Sequence, residues 1–197
     1  MSLLNALTVA LFVAWCLSEA AISLINAVNR LRRPAGAEDR FSFLGIWLTL
    51  IVTVALAMIT WLSRPRVTGL GDAGALRTLA GWLGCACLAS GIAIRLAAVA
   101  TLRSQFTTQV TVVAQERIVD RGPYRYVRHP AYLGLLLSLL GFGLCSGNWL
   151  SLVVAIGLPL TAVMYRIRVE ERALLRHFGP AYAEYSSRTK GLVPGIY

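Results

Sequence analysis

The sequence RGPYRYVRHPAYLG, residues 121–134, decides how the rest of this chain is interpreted. Its arginine, histidine and tyrosine side chains come directly before residues 133–144, a run that contains no charged residue. Such a junction is typical of the point where a membrane helix leaves water. Pro130 suits the first turn of that helix, because the N–H that proline lacks would have no helical partner there. The stretch alone fits two interpretations equally well: a basic anchor with interfacial tyrosines, or a binding site.

The composition predicts an integral membrane protein. The chain has 197 residues, of which 57% are hydrophobic and 14% are charged, whereas soluble domains average roughly 25% charged residues. The formal net charge of +10 does not indicate nucleic-acid binding, because the arginines cluster at the ends of apolar runs, where they meet anionic lipid headgroups. Membrane lipids are therefore expected partners, and nucleic acid is not.

The apolar runs predict five transmembrane helices, at residues 3–28, 41–62, 76–101, 130–145 and 148–166. The last two are joined by Ser146, Gly147 and Asn148 and form a helical hairpin. Residues 106–114 are β-branched and polar, which favours an extended segment at the membrane surface. Residues 169–188 are predicted to form a separate charged helix with a break at Gly179 and Pro180.

Two charged residues fall inside the predicted spans. Glu19 either faces the interior of the helix bundle or lies near the membrane interface. Arg95 must find a partner or water at membrane depth, and Glu19 is one candidate partner.

The basic residues predict the orientation. With five spans and an outside N-terminus, nearly all the arginines and lysines between spans fall on the cytoplasmic side, and the exceptions are Arg64, Arg66 and Arg77. This bias predicts that the N-terminus is outside and the C-terminus inside. The composition, rich in alanine and arginine, suggests a bacterial gene and hence a bacterial inner membrane.

Two further patterns are interpreted as structural. Residues 69–74 match G-x-G-x-x-G, but no strand precedes them and no acidic residue follows about twenty positions later, so they are not a dinucleotide site. The four cysteines lie in apolar runs without C-x-x-C spacing, and we predict no metal site.

The hairpin predicts where polar residues meet. The segment before it and the helix after it both face the cytoplasm, so the two must lie side by side. The side chains expected to face one another are Tyr124, Arg128, His129 and Tyr132 on one segment and Arg166, Glu170 and Glu171 on the other. Such a cluster at the mouth of a membrane cavity suits a charged cytosolic cofactor.

These residues resemble a known family. The elements that carry the resemblance are Gly122-Pro123-Tyr124, Arg128-His129-Pro130-Ala131-Tyr132, Gly134, Glu170-Glu171, Phe178-Gly179, Tyr182 and Tyr185. This pattern is similar to that of the isoprenylcysteine carboxyl methyltransferases, integral membrane enzymes that use S-adenosylmethionine. The resemblance covers roughly residues 95–195, and the earlier helices match only in being apolar.

The resemblance implies a set of site residues. For the cofactor these are Gln109, Glu116, Arg117, Ile118, Val119, Tyr124, His129, Pro130, Ala131, Tyr132, Glu170 and Glu171. It implies catalytic roles for Glu170, as the glutamate on the cofactor, and for Arg166, with the substrate. The acidic run is shorter here than in the family, which leaves open which glutamate contacts the cofactor, and Arg168 is a rival to Arg166.

The implied chemistry agrees with the residue types. A carboxylate such as Glu170 suits an amino group or ribose hydroxyls, His129 suits a carboxylate, and a tyrosine can pack on adenine. Methyl transfer needs alignment and a dry pocket more than acid–base groups. Arg166 can hold a carboxylate acceptor, whereas a thiol would need a base and none is obvious. The expected reaction is therefore methylation of a lipophilic acceptor, with the carboxylate of an isoprenylcysteine-like compound preferred over a thiol or an amine.

Two alternatives stay open at this point. One is a membrane sterol or isoprenoid reductase that uses NADPH, which shares an Arg-His-x-x-Tyr-like signature but is generally much longer. The other is a membrane module without catalysis.

The predicted fold class is an all-α integral membrane protein with five transmembrane helices, a C-terminal helical hairpin and a cytoplasmic cofactor-binding C-terminal segment. Its expected regions are three N-terminal membrane helices, residues 1–102, and a catalytic methyltransferase region, residues 103–197. The oligomeric state is left open.

Overall fold

A computed structural model describes residues 3–31, 74–103, 106 and 118–193, together with residues 48, 51–55 and 58–59. These residues form helices throughout, apart from short connections and one isolated β-bridge. The elements in chain order are α1 (Leu3–Leu31), α2 (Gly74–Leu102), a 3-10 helix (Gly122–Arg125), α3 (Pro130–Ser146), α4 (Trp149–Phe178) and α5 (Pro180–Arg188).

Three of the described helices are long and apolar enough to cross a bilayer: α1, α2 and α4. Helix α3 is apolar but shorter, with 17 residues. Of the predicted second span, residues 48, 51–55 and 58–59 are described and are helical, and the rest lies outside the described residues. The all-helical architecture with several membrane helices is therefore confirmed, while the count of five spans stays a prediction.

Helices α2 and α3 pack more extensively than any other described pair, and glycine makes this possible. A Cβ on Gly91 would lie 2.6 Å from the carbonyl oxygen of Gly134, and one on Gly141 would lie 2.5 Å from the carbonyl oxygen of Gly84. Real side chains do not reach such distances, so the two backbones touch. Small residues serve the same purpose in other membrane helix pairs.

The predicted hairpin is present. Helix α3 ends at Gly147, whose φ of 64° is left-handed and favours glycine. Asn148 then caps α4, because its side-chain oxygen accepts the N–H groups of Leu150 and Ser151. The turn thus satisfies the donors that the start of a helix leaves unpaired.

Helix α4 is longer than predicted. The predicted end of a span at residue 166 and the predicted start of a charged helix at residue 169 are wrong, because one helix runs from Trp149 to Phe178. The charged residues after Arg166 mark where the apolar part ends, but they do not interrupt helical backbone geometry. The helix ends at Gly179, whose φ of 53° lies outside the helical range, and Pro180 follows it. The predicted break at these two residues is confirmed.

One apolar core joins the long helices to the tail. Its buried members come from α1 to α4 and from the segment after α5, and they are Trp15, Leu88, Leu135, Leu139, Val163, Ile167 and Leu192. A second cluster, formed by Ile22, Val99 and Phe106, packs α1 against α2 about two helical turns beyond Trp15. Because Leu192 belongs to the main core, residues beyond α5 are held against the bundle.

Candidate active site

The stretch 121–134 forms a turn, a short extended segment and the start of α3. Gly122 begins the 3-10 helix with a φ of 59°, and a Cβ there would lie 2.9 Å from Thr101 Oγ1. Glycine is therefore favoured by the backbone conformation, and the Thr101 side chain on α2 would have to shift to admit a larger residue. Pro130 opens α3 in the first turn, as predicted.

The extended part of this stretch pairs with the C-terminal tail. The N–H of Arg128 donates to the carbonyl of Lys190 at 2.7 Å, and the N–H of His129 donates to that of Gly191 at 3.1 Å. In return, the N–H of Lys190 donates to the carbonyl of Tyr126 at 3.2 Å. This short parallel contact closes the chain around α5 and fixes the backbone on which His129 stands.

Arg128 holds three segments together. Its Nε donates to Glu171 Oε1 on α4 at 2.8 Å, and its Nη1 donates to the carbonyls of Ser186 and Thr189 at the end of α5. The carbonyls at a helix C-terminus lack helical partners, so a guanidinium there is doubly favourable. Arg128 therefore ties the end of α5 to α4 and to its own segment.

His129 and Glu171 form the second contact between the segment and α4. The imidazole is buried, and its Nε2 lies 3.3 Å from Glu171 Oε1. The ring also stacks on Tyr132, with 5.8 Å between ring centroids. The Glu171 carboxylate thus contacts both Arg128 and His129, and its role is structural: it connects their segment to α4.

Tyr132 links Glu170 to Arg166. Its hydroxyl donates to Glu170 Oε2 at 3.0 Å and accepts from Arg166 Nε at 3.3 Å. Arg166 is 1% exposed, while the side chain of Glu170 is 30% exposed. The site therefore combines a buried cation with a partly open carboxylate, and a neutral hydroxyl joins them.

Two tyrosines of the family pattern support the turn. Tyr185 on α5 donates its hydroxyl proton to the carbonyl of Tyr124 at 2.7 Å. Burial raises the pKa of Tyr124 well above its usual range and that of Tyr185 to about 12. Both phenols keep their protons near neutral pH, so Tyr185 acts as a hydrogen-bond donor and neither phenol acts as a base.

Tyr182, on the same helix, has a different environment. The residue is 5% exposed, and its hydroxyl is buried and finds no hydrogen-bond partner among the described residues. Most buried hydroxyl groups in folded proteins are paired. The Tyr182 hydroxyl is an exception.

Arg95 connects the site to the N-terminal helix. It forms a bidentate ion pair with Glu19 on α1 and donates a further N–H to the carbonyl of Ala131, in the first turn of α3, at 2.9 Å. Of the two positions left open for Glu19, the structure gives the one that faces the bundle interior.

The structure brings most of the predicted site residues together. The described members of the cluster are His129, Pro130, Ala131, Tyr132, Arg166, Glu170 and Glu171, with Tyr124 in the adjoining turn. Ile118 and Val119 precede that turn and are half-buried. Gln109, Glu116 and Arg117 lie outside the described residues. Arg168, the rival to Arg166, is exposed.

Sequence reasoning missed some contributions. Arg128 was placed near the site, but its bonds to the end of α5 were not foreseen, and Tyr182 received no role. The spacing of Tyr182 and Tyr185, three apart on one helix face, was the available signal for an inward-facing pair. In the part of the chain that the structure describes, no group of three or more His, Cys, Asp or Glu side chains is arranged to hold a metal ion.

Comparisons with known proteins point to one family. Residues 79–181, more than half of the chain, match the family model described as phospholipid methyltransferase. The matched range includes α3, α4 and every described residue of the carboxylate cluster.

Individual relatives agree with this match. The chain is 29% identical to the protein-S-isoprenylcysteine O-methyltransferase of Dictyostelium discoideum, over 59% of this chain and 50% of that one. It is 34% identical to the enzyme of the same name from Saccharomyces cerevisiae, over 58% of this chain and 48% of that one. The chain thus spans about half the length of these relatives. It is also 32% identical to the cobalt-zinc-cadmium resistance protein CzcN of Cupriavidus metallidurans, over 83% of this chain and 71% of that one.

A solved structure shares the fold. The eukaryotic intramembrane Ras methyltransferase, isoprenylcysteine carboxyl methyltransferase, superposes with a TM-score of 0.63 at 20% sequence identity. The superposition covers 96% of this chain and 68% of the other. The similarity therefore includes the N-terminal helices, for which the sequence offered only apolar character.

Proposed function

This chain belongs to the family of phospholipid and isoprenylcysteine methyltransferases, and on that premise we propose that it transfers a methyl group from S-adenosylmethionine to a lipophilic acceptor in the membrane. The observation that carries the proposal is the cluster in which Tyr132 joins buried Arg166 to partly open Glu170. This cluster lies at the charged end of an apolar helix, where an acceptor from the bilayer and a cofactor from water can meet.

The residues fit the proposed cofactor. S-adenosylmethionine carries an amino group, a carboxylate, ribose hydroxyls and a purine, and it supplies a methyl group activated on a sulfonium. Glu170 suits the cationic amino group or a ribose hydroxyl, because an ionised carboxylate makes strong charge-assisted hydrogen bonds. The Tyr182 hydroxyl is a buried donor with no described partner, as expected beside a polar ligand. We assign Glu170 and not Glu171 to the cofactor, since Glu171 is held by Arg128 and His129.

Arg166 suits a role with the acceptor. It is buried on α4 near the apolar core that Val163 and Ile167 help to form. A guanidinium binds a planar carboxylate through two parallel hydrogen bonds, so Arg166 can hold an acceptor carboxylate in one orientation. Exposed Arg168 lacks this setting. We therefore propose the carboxylate of an isoprenylcysteine-like compound as the methyl acceptor.

The other contributions of the chain's own residues are to orient the reactants and to exclude water from the site. Tyr124 stays protonated at neutral pH, and a carboxylate acceptor needs no base to become a nucleophile. The aromatic and aliphatic side chains around His129 and Tyr132 keep the surroundings dry, which strengthens electrostatic interactions there.

We further propose how the chain is arranged in the cell. The N-terminus lies outside and the carboxylate cluster faces the cytoplasm of a bacterial inner membrane, as the bias of basic residues predicts. Residues 103–197 form the catalytic region, and residues 1–102 form the membrane helices that support it. The contact of Arg95 with Ala131 supports this division of roles.

A binding experiment separates this proposal from the alternatives. Purified protein in detergent is titrated calorimetrically with S-adenosylhomocysteine and, separately, with NADPH. We expect binding of the first and none of the second. Binding of NADPH alone would favour a reductase, and binding of neither would contradict the proposed cofactor.

A transfer assay then tests the acceptor. Isotope-labelled methyl from S-adenosylmethionine is offered to a farnesylated cysteine with a free carboxylate, with the corresponding amide as the matched control. We expect label in the free acid only, and we expect alkali to release it, because a methyl ester is hydrolysed whereas a methylated amine or sulfur is not. Label in a total membrane lipid extract but not in the farnesylated acid would contradict an isoprenylcysteine-like acceptor, and label that resists alkali would contradict a carboxylate acceptor of any kind. Mass spectrometry of that product would then identify the acceptor.

A further inference from the structure

Tyr182 and Tyr185 lie three residues apart on α5, and both are buried. The hydroxyl of Tyr185 donates to the carbonyl of Tyr124. The hydroxyl of Tyr182 is equally removed from solvent but has no partner among the described residues. The two tyrosines form a natural comparison, because their rings pack 5.9 Å apart and only one hydroxyl is satisfied.

The surroundings of the Tyr182 hydroxyl belong to the carboxylate cluster. Burial raises the pKa of Tyr182 above its usual range, and the negative charge of Glu171 adds to the effect. Arg128 and Glu170 are the other charged groups that act on it. The phenol is therefore a protonated donor beside two carboxylates that already accept hydrogen bonds from Tyr132, Arg128 and His129.

A buried donor without a partner costs folding free energy, and proteins rarely keep one. Pure packing does not explain the hydroxyl, because phenylalanine would fill the same space without that cost. A ligand does explain it, since the hydroxyl gains a partner when an acceptor atom enters the cluster.

We propose that Tyr182 is a cofactor-binding residue whose hydroxyl donates a hydrogen bond to an oxygen of the bound S-adenosylmethionine, either its carboxylate or a ribose hydroxyl. This inference rests on the proposed function. It adds α5 to the elements that bind the cofactor. In this view, the pairing of the C-terminal tail with residues 126–129 serves to hold α5, and with it Tyr182, in position.

The test uses Tyr182→Phe and, as its matched control, Tyr185→Phe. Affinity for S-adenosylhomocysteine is measured by calorimetry, and the melting temperature is measured without ligand. For Tyr182→Phe we expect a Kd about fivefold to tenfold higher than that of the wild type, with an unliganded melting temperature that is unchanged or higher. For Tyr185→Phe we expect a lower unliganded melting temperature, because its hydroxyl has a partner in the folded protein.

Two results would overturn the inference alone. The first is wild-type affinity in Tyr182→Phe while the wild type binds S-adenosylhomocysteine. The second is an unliganded melting temperature that falls as far in Tyr182→Phe as in Tyr185→Phe, since the hydroxyl would then have a structural partner. Failure of the wild-type protein to bind S-adenosylhomocysteine at all would instead overturn the proposed function, and this inference with it.

Discussion

The side chains of Arg95 and Glu19 form a bidentate ion pair between α2 and α1. Both are buried from solvent in the bundle, with side-chain exposures of 10% and 13%. Because Arg95 also donates to the carbonyl of Ala131, the pair joins three helices at the start of α3.

We predict that Glu19→Gln destabilises the protein strongly, because it leaves the Arg95 guanidinium buried without its counter-charge. Breaking a buried pair from one side costs roughly 3–5 kcal/mol. The measurement is the melting temperature in detergent. In the double variant with Arg95→Gln, part of the loss should be recovered, since no unpaired charge remains. Strictly additive losses in the double variant would contradict the interpretation.

The sequence predicted most helix positions because apolar length determines them. The predicted spans at residues 3–28, 76–101 and 130–145 correspond to α1, α2 and α3, with ends that differ by at most three residues. The end of α4 was missed for a physical reason: charge shows where an apolar run meets water, whereas Gly179 shows where helical backbone ends. The sequence offered Glu19 only as one candidate partner for Arg95, because their contact depends on how α1 packs on α2.

We also predict that the contact between α2 and α3 requires glycine at position 91. A Cβ there would lie 2.6 Å from the carbonyl oxygen of Gly134 and 2.6 Å from the backbone nitrogen of Ser138, neither of which can move without α3. Gly91→Ala should therefore force the helices apart and lower stability by roughly 1–3 kcal/mol.

The matched control is Gly157→Ala on α4, where an added Cβ meets nothing within 4 Å. Alanine favours a helix over glycine by roughly 0.5–1 kcal/mol, so this variant should be neutral or slightly stabilised. Melting temperatures of the two variants check the comparison. Equal effects would mean that α2 and α3 are not in backbone contact.

We predict that the substitution Arg128→Lys destabilises the protein. The Arg128 guanidinium donates from Nε to Glu171 and from Nη1 to two carbonyls of the α5 terminus. The three N–H groups of a lysine ammonium all radiate from one atom and do not reproduce this spread of donors. Arg128→Lys should loosen α5 and the tail, at a cost of about 1.5–3 kcal/mol. Hydrogen exchange of residues 180–193 measures this directly.

Arg188→Lys is the control for that substitution. Arg188 pairs with Asp120 at 3.6 Å, but both side chains are more than half exposed, so the exchange should change stability by less than about 0.5 kcal/mol. Faster exchange confined to the Arg128 variant is the expected result. Comparable exchange in both variants would show that Arg128 does not hold α5.

The site was only partly predictable. His129, Tyr132, Arg166 and Glu170 were predicted to lie together because motif elements on two segments had to adjoin across the hairpin, and their side chains are in contact. The backbone hydrogen bonds of Arg128 and His129 to Lys190 and Gly191 could not be predicted, because backbone groups are the same in every residue and the side-chain pattern does not report their partners. The unpartnered hydroxyl of Tyr182 is likewise visible only once α5 is packed.

Glu170 and Glu171 are adjacent in sequence, and we predict that they differ in role. Glu170 accepts a hydrogen bond from a neutral hydroxyl, whereas Glu171 is bound by Arg128 and lies beside His129. Glu170→Gln keeps an acceptor for Tyr132 but removes a charge that acts on buried Arg166, so the melting temperature should fall less than in Glu171→Gln while the Kd for S-adenosylhomocysteine rises about tenfold to a hundredfold. Glu171→Gln should lower the melting temperature more, because Arg128 loses its counter-charge, and should change the Kd less. Calorimetry and thermal melting of both variants decide the matter. A larger loss of affinity in Glu171→Gln, with stability retained, would assign the cofactor to Glu171.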